Sequence, residues 1–279
     1  MTTQTIAVEV ETGLSPARKL TTRRVIASEW IKFRTLRTNW YLLGAVFLAI
    51  VAFGLISAAA ATGDVSMDAG GPPLAQGSDP VSTVLSGATF SVLIVAVLGV
   101  LVGAREYSSG LIRVTLAAVP SRLPVLAAKL WVFIAAATPV AVSAVVVAFL
   151  GGTSILSGAG QPSAQWSDPG VLGAMLGTAG YLVGIGILGV CLGIMFRSIA
   201  AGMGLLIGGI LFLPTLATSL LPESWDGVLK YLPSNAGQAF TSVADTGASL
   251  GYWTGVLVFC AWVLAAVVGA AWSLKRRDA

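Results

Sequence analysis

The sequence contains no histidine. That removes histidine general bases, histidine proton relays and histidine-ligated metals. Cysteine is almost as scarce. Cys191 and Cys260 both sit in apolar runs, so no disulfide framework is implied and both read as packing residues. No metal site is expected. Charge is thin: Asp, Glu, Lys and Arg make up 10% of the 279 residues. No lysine is followed by serine or threonine, so the phosphate loop G-x-x-x-x-G-K-[ST] is missing. Neither G-x-S-x-G nor a pair of carboxylates within an apolar segment occurs, which argues against a membrane hydrolase. The chain is not expected to be an enzyme. If it performs work, another subunit must hydrolyse ATP.

What the sequence has instead is apolar length, at 56% hydrophobic residues. Together with the low charge, this points to an all-α polytopic membrane protein. Six apolar segments are read as charge-free, near 41–61, 82–104, 125–150, 171–196, 199–220 and 251–273. Each supplies the ~20 helical residues that a bilayer core requires. Only Arg197 and Ser198 separate the fourth from the fifth, so that turn must be tight.

Orientation follows from where the charge lies. Fifteen of the sixteen Lys and Arg residues fall in residues 1–40, in the stretch 105–129, at Arg197 or at 275–277. The alternate loops hold Lys230 alone, with Asp64, Asp68, Asp79, Asp168, Glu223, Asp226 and Asp245. The positive-inside rule then predicts both termini in the cytoplasm, which an even number of spans also requires. The expected location is the plasma membrane. Trp40, Trp131, Trp253 and Trp272 fall near predicted interfaces, whereas Trp262 falls mid-span as a packing or cavity residue.

Residues 1–20 are polar, lack the apolar core of a signal peptide, and are expected to form a disordered cytoplasmic tail. Residues 21–39 read as a basic amphipathic helix lying in the interface. Ile26, Trp30, Phe33 and Trp40 make its apolar side, and Arg23, Arg24, Lys32, Arg34 and Arg37 cover much of the rest. Residues 40–274 form the six-span domain.

The stretch 105–123 is the basic connection between the second and third segments. Leu111 to Val119 reads as a short helix closed by Pro120, suited to docking a soluble partner; an ordinary polar loop fits the local pattern equally. Arg105-Glu106-Tyr107, Gly110, Ile112-Arg113, Leu116, Pro120, Arg122 and Lys129 resemble the coupling region of type-2 ATP-binding-cassette exporter permeases, the type V exporter fold. The resemblance implies a six-span permease subunit working as a homodimer or heterodimer, with separate nucleotide-binding ATPase subunits that hold ATP and Mg. It implies that Arg105, Glu106, Gly110, Arg113, Pro120 and Arg122 couple to the ATPase. It also implies that Trp30, Lys32, Phe33 and Arg34 belong to an elbow helix before the first span. Glu106 either pairs locally with Arg105 or Arg113, or packs against the elbow facing Lys32 or Arg34, and the second arrangement suits force transmission.

Residues 222–250 form an external insert. Val228 to Leu232 reads as a short helix stopped by Pro233, with Ser234 or Asn235 capping a second; a plain surface loop is the alternative. Tyr231-Leu232-Pro233-Ser234-Asn235-Ala236 resembles the external re-entrant helices of the same permeases. Within the spans, Gly173, Gly177, Gly180 and Gly184 share one helix face, and Gly186, Gly189 and Gly193 lie on roughly the opposite one. Such seams permit close helix approach, for packing or for sliding. Pro139 and Pro214 can kink the third and fifth spans. Ion carriers keep ionisable groups in the membrane. Here the cavity candidates are Thr89, Ser91, Thr178, Tyr181, Thr215 and Thr218, which favour an apolar or amphipathic substrate such as a drug or lipid over a small ion. A non-transporting anchor or sensor subunit, and an ATP-independent carrier, are the alternatives.

Overall fold

The computed structural model describes residues 21–63, 79–108, 110–112, 122–243 and 250–276. The expected tail at 1–20, and Arg113 and Pro120 of the docking stretch, lie outside the described residues. The protein is an all-α membrane protein. Among the described residues there are no strands, and six helices are long and apolar enough to cross a membrane.

Helix α1, Thr22–Thr35, is followed by α2, Arg37–Ala61. Leu36 is extended between them, without glycine or proline. Two side chains make this break by taking the last carbonyls of α1: Asn39 Nδ2 donates to Phe33 O at 3.1 Å and Trp40 Nε1 to Arg34 O at 3.1 Å. The stripe that α1 buries is Val25, Glu29 and Phe33, four residues apart. Trp30, expected on the apolar side, is 37% exposed and stacks on Phe33.

The second apolar segment divides into a short helix and a span. Asp79 caps α3, Pro80–Val84, by accepting from Val81 N at 3.0 Å, and Pro80 takes a first-turn position where its missing N–H does no harm. A turn at Leu85 and Ser86 leads into α4, Gly87–Ser108, so this span starts five residues after 82. The third span, α5, runs Leu123–Gly158 and outlasts the expected end at 150. At 36 residues it is ~54 Å long, against ~30 Å of hydrocarbon.

Helices α6, Val171–Phe196, and α7, Ile199–Leu220, meet at a left-handed Arg197 whose N donates to Gly193 O at 3.0 Å. Ser198 caps α7 from its hydroxyl. A wide π-turn at Gly208–Phe212 precedes Pro214, which cannot bond the carbonyl of Ile210; the wide turn absorbs that missing donor. Beyond α7 a tight turn at Glu223–Trp225 leads to α8, Asp226–Leu229. Residues 230–232 form a turn rather than the end of a helix, and Pro233 opens α9, Pro233–Thr241, instead of stopping its predecessor. Proline serves both ends of helices, and here its fixed φ suits the first turn. Leu232, not Ser234 or Asn235, takes the cap position; Asn235 Nδ2 reaches back to Leu229 O at 2.9 Å. The last span, α10, is Tyr252–Arg276.

Helix α6 is the hub, packed by α4, α5, α9 and α10. Its glycines explain how. A Cβ on Gly189 would lie 2.9 Å from Ala96 O, and one on Gly193 2.7 Å from Val100 O, so α4 rests on bare backbone there. On the other side Gly177 faces the Phe240 carbonyl of α9, and Gly184 faces the Phe259 ring of α10. Lipid offers no hydrophobic drive for helix association, so such close contact is what holds the bundle together. Gly204 and Gly208 on α7 face open space.

Candidate functional site

Four charges meet at the basic end of the bundle. Lys129, in the second turn of α5, places Nζ 2.8 Å from Glu29 Oε2 and 2.6 Å from Glu106 Oε1. Lys32 places Nζ 2.7 Å from Glu29 Oε1 and 3.0 Å from the same Glu106 oxygen. Among the described residues the cluster pairs two carboxylates with two ammonium groups. Three elements are bound by it: α1 through Glu29 and Lys32, the last turn of α4 through Glu106, and α5 through Lys129. Val25 packs on Val125 and Ala128 beside it, closing the apolar side of the α1–α5 contact.

The burial is uneven. The side chains of Glu29, Glu106 and Lys129 are 4%, 9% and 6% exposed, whereas Lys32 is 40% exposed. Burial alone would lower the Lys32 pKa. The hydrogen bond and charge of Glu29, joined by those of Glu106, outweigh it and hold the amine above its ordinary value. A groove of about 270 Å³ runs along the cluster, and Phe33, Asn39, Val102 and Leu111 line it with the charges.

The residues expected to couple separate into groups. Glu106 joins α1 through Lys32, while Arg34 is exposed and lends only its carbonyl, to Trp40. Arg105 is half-buried and lines the same groove. Gly110 is exposed with φ +71°, a turn conformation that favours glycine. Arg122 lies elsewhere: with φ +55° it precedes α5 and its Nη1 donates to Leu274 O at 2.9 Å, tying the start of α5 to the end of α10. Glu29 was not among the expected residues. Its signal is present, because it is the single acid in 21–38 and stands four residues from both Val25 and Phe33. Lys129 falls inside the third apolar segment, so that segment is not free of charge. Its charge is buried against two acids rather than exposed to a loop.

A second feature lies at the acidic end. A cavity of about 420 Å³ opens between α4, α6, α7 and α9. Of the six hydroxyl residues expected in a cavity, Thr89, Thr178 and Tyr181 line it. Ser91 does not; it is buried between α4 and α2, donating to Gly87 O at 3.0 Å. Thr215 and Thr218 are exposed on α7 and bond their own helix backbone, as isolated hydroxyls in membrane helices do. Trp262, expected mid-span, donates Nε1 to Tyr231 O at 2.9 Å and so ties α10 to the insert.

Comparison of the sequence with protein-family models and with curated proteins finds no match. Six apolar helices fit a membrane transport protein in general.

Proposed function

We propose that the chain is the permease subunit of an ATP-binding-cassette exporter, half of a dimer above two separate ATPase subunits that bind ATP and Mg. The plasma membrane holds it with its basic side, including α1 and the stretch 105–123, in the cytoplasm. The observation that carries this reading is the Glu29–Lys32–Glu106–Lys129 cluster. It fastens an interfacial helix to the two helix ends that flank the stretch resembling the coupling region of such permeases. Buried charge pairs resist shear, because separating them strands charge in a poor solvent. A push on the stretch between α4 and α5 therefore moves α1, α4 and α5 as one body. Closure of the ATPase pair on ATP supplies that push, and the spans respond by rigid-body rearrangement around the cavity.

The test is co-purification and coupling. An ATPase encoded beside this chain should purify with it and hydrolyse ATP faster in lipid nanodiscs when the permease is present. Glu106→Gln should leave insertion and assembly intact and weaken that stimulation. Arg113→Ala should weaken the association itself. Transport that continues without any ATPase, or a chain that recruits none, would overturn the proposal.

A further inference from the structure

The cavity at the acidic end has a lining that specifies a class of ligand. Among the described residues no Asp, Glu, Lys or Arg borders it. The polar groups are hydroxyls and one amide: Ser82, Ser86, Thr89, Thr178, Tyr181, from α9 Ser234, Gln238 and Thr241, and just beyond it Ser242. Leu85, Phe90, Val92, Ile210 and Leu211 supply the apolar wall.

The hydroxyls are not all in the same condition. Ser82 donates to Asp79 O at 2.8 Å, Thr178 to Ala174 O at 2.8 Å and Ser242 to Gln238 O at 3.0 Å, while Ser86 shares a 2.7 Å hydrogen bond with Ser57. Ser234 Oγ is buried and has no hydrogen-bond partner among the described residues. A buried polar atom without a partner is destabilising, and its presence calls for a reason. Here the reason is at hand, because the same residue borders the cavity in the first turn of α9. That helix is fixed rigidly. Gly237 leaves just enough room for the Tyr181 ring, and Gly255 of α10 admits the Ala236 carbonyl, where a Cβ would lie 2.8 Å away.

We propose that this cavity binds an uncharged amphiphile whose hydroxyl or amide head bonds Ser234 and Gln238 and whose apolar part lies along Phe90 and Ile210. Charged analogues are rejected because an ion entering here loses its water and meets no counter-charge among the described lining residues. About 420 Å³ lies within the ~300–1,000 Å³ typical of small-molecule sites. As a transport substrate the ligand rests on the permease reading above; its binding does not.

The probe is a diazirine-tagged monoacylglycerol, an uncharged head on one tail, offered to the full chain in nanodiscs without any ATPase. Labelled peptides are mapped by mass spectrometry. Competition is measured with alkyl chains of matched length bearing a maltoside, a trimethylammonium or a phosphate head. Label should map to α4 and α9, and the maltoside should compete at least tenfold better than either ion. Ser234→Ala should lower labelling at least fivefold while the ligand-free protein keeps or raises its thermal midpoint, because no hydrogen bond is lost. Gln238→Glu should admit the trimethylammonium competitor. Label confined to the outer faces of α7 and α10, equal competition by all three heads, or Ser234→Ala labelling like wild type would each overturn the proposal. Those outcomes leave the permease reading standing, which fails instead when no ATPase associates.

Discussion

Replacing Lys129 by methionine tests the charge cluster most directly. Methionine keeps much of the length of the stem and removes only the ammonium. Glu29 and Glu106, 4% and 9% exposed, would then lose their shared buried cation and keep the contacts to the half-exposed Lys32. Breaking a buried pair from one side costs about 3–5 kcal/mol, because the partner is left charged in a poor solvent. Lys32→Met should behave differently. Lys129 still contacts both acids at 2.8 and 2.6 Å, and the lost cation was 40% exposed, so the cost should be about 1 kcal/mol or less. The triple variant Glu29→Gln, Glu106→Gln, Lys129→Met removes charge from both sides and should recover most of the single-mutant loss. The assay is reversible unfolding of the purified chain in mixed micelles against added denaturing detergent, followed by tryptophan fluorescence. Equal costs for Lys129→Met and Lys32→Met would refute the argument. So would a triple variant whose loss equals the sum of its parts, since neighbours in one network must couple.

Three further outcomes are expected. Gly193→Ala places a methyl 2.7 Å from Val100 O and should destabilise by about 1–3 kcal/mol, whereas Gly204→Ala, facing open space, should be neutral or stabilising by up to about 1 kcal/mol; the same unfolding assay compares them. With Cys191 and Cys260 replaced by alanine, Ser157→Cys should react with an impermeant maleimide in intact cells and Ser108→Cys should not; the reverse pattern would invert the topology. The raised Lys32 pKa means that its contribution is complete below the unfolded value of about 10.5 and fades as pH rises through the higher folded value, so the stability gap between wild type and Lys32→Met should narrow as pH climbs past 10.5.

Which parts of this structure were legible in the sequence follows from the range of the forces. The six spans were legible because each is a local property, an apolar run as long as a bilayer is thick. The glycine seams of α6 were legible because helical geometry puts Gly189 and Gly193 on one face. The break between α3 and α4 was not, because the turn at Leu85 and Ser86 interrupts the backbone while the side chains on both sides stay largely apolar. Pro233 misled because proline suits the first turn of a helix as well as it ends one. Single-residue hydropathy did not point to Glu29, an acid that α1 turns inward.

The charge cluster was illegible for a different reason. Glu29 and Lys129 stand 100 residues apart, so no window of sequence contains both. Alone, Glu29 reads as a surface acid and Lys129 as the edge of a loop. Only their meeting makes burial tolerable. The cluster also bears on the ion-coupled carrier alternative, which the uncharged span centres disfavour. Lys129 is the seventh residue of α5, about 9 Å from its start, and Glu106 lies in the last turn of α4. Both belong to one end of the bundle, and each positive charge faces two acids. A site that binds and releases a cation needs a carboxylate whose counter-charge leaves with the ion. Among the described residues both counter-charges are covalently part of the chain, an arrangement suited to joining helices and transmitting displacement.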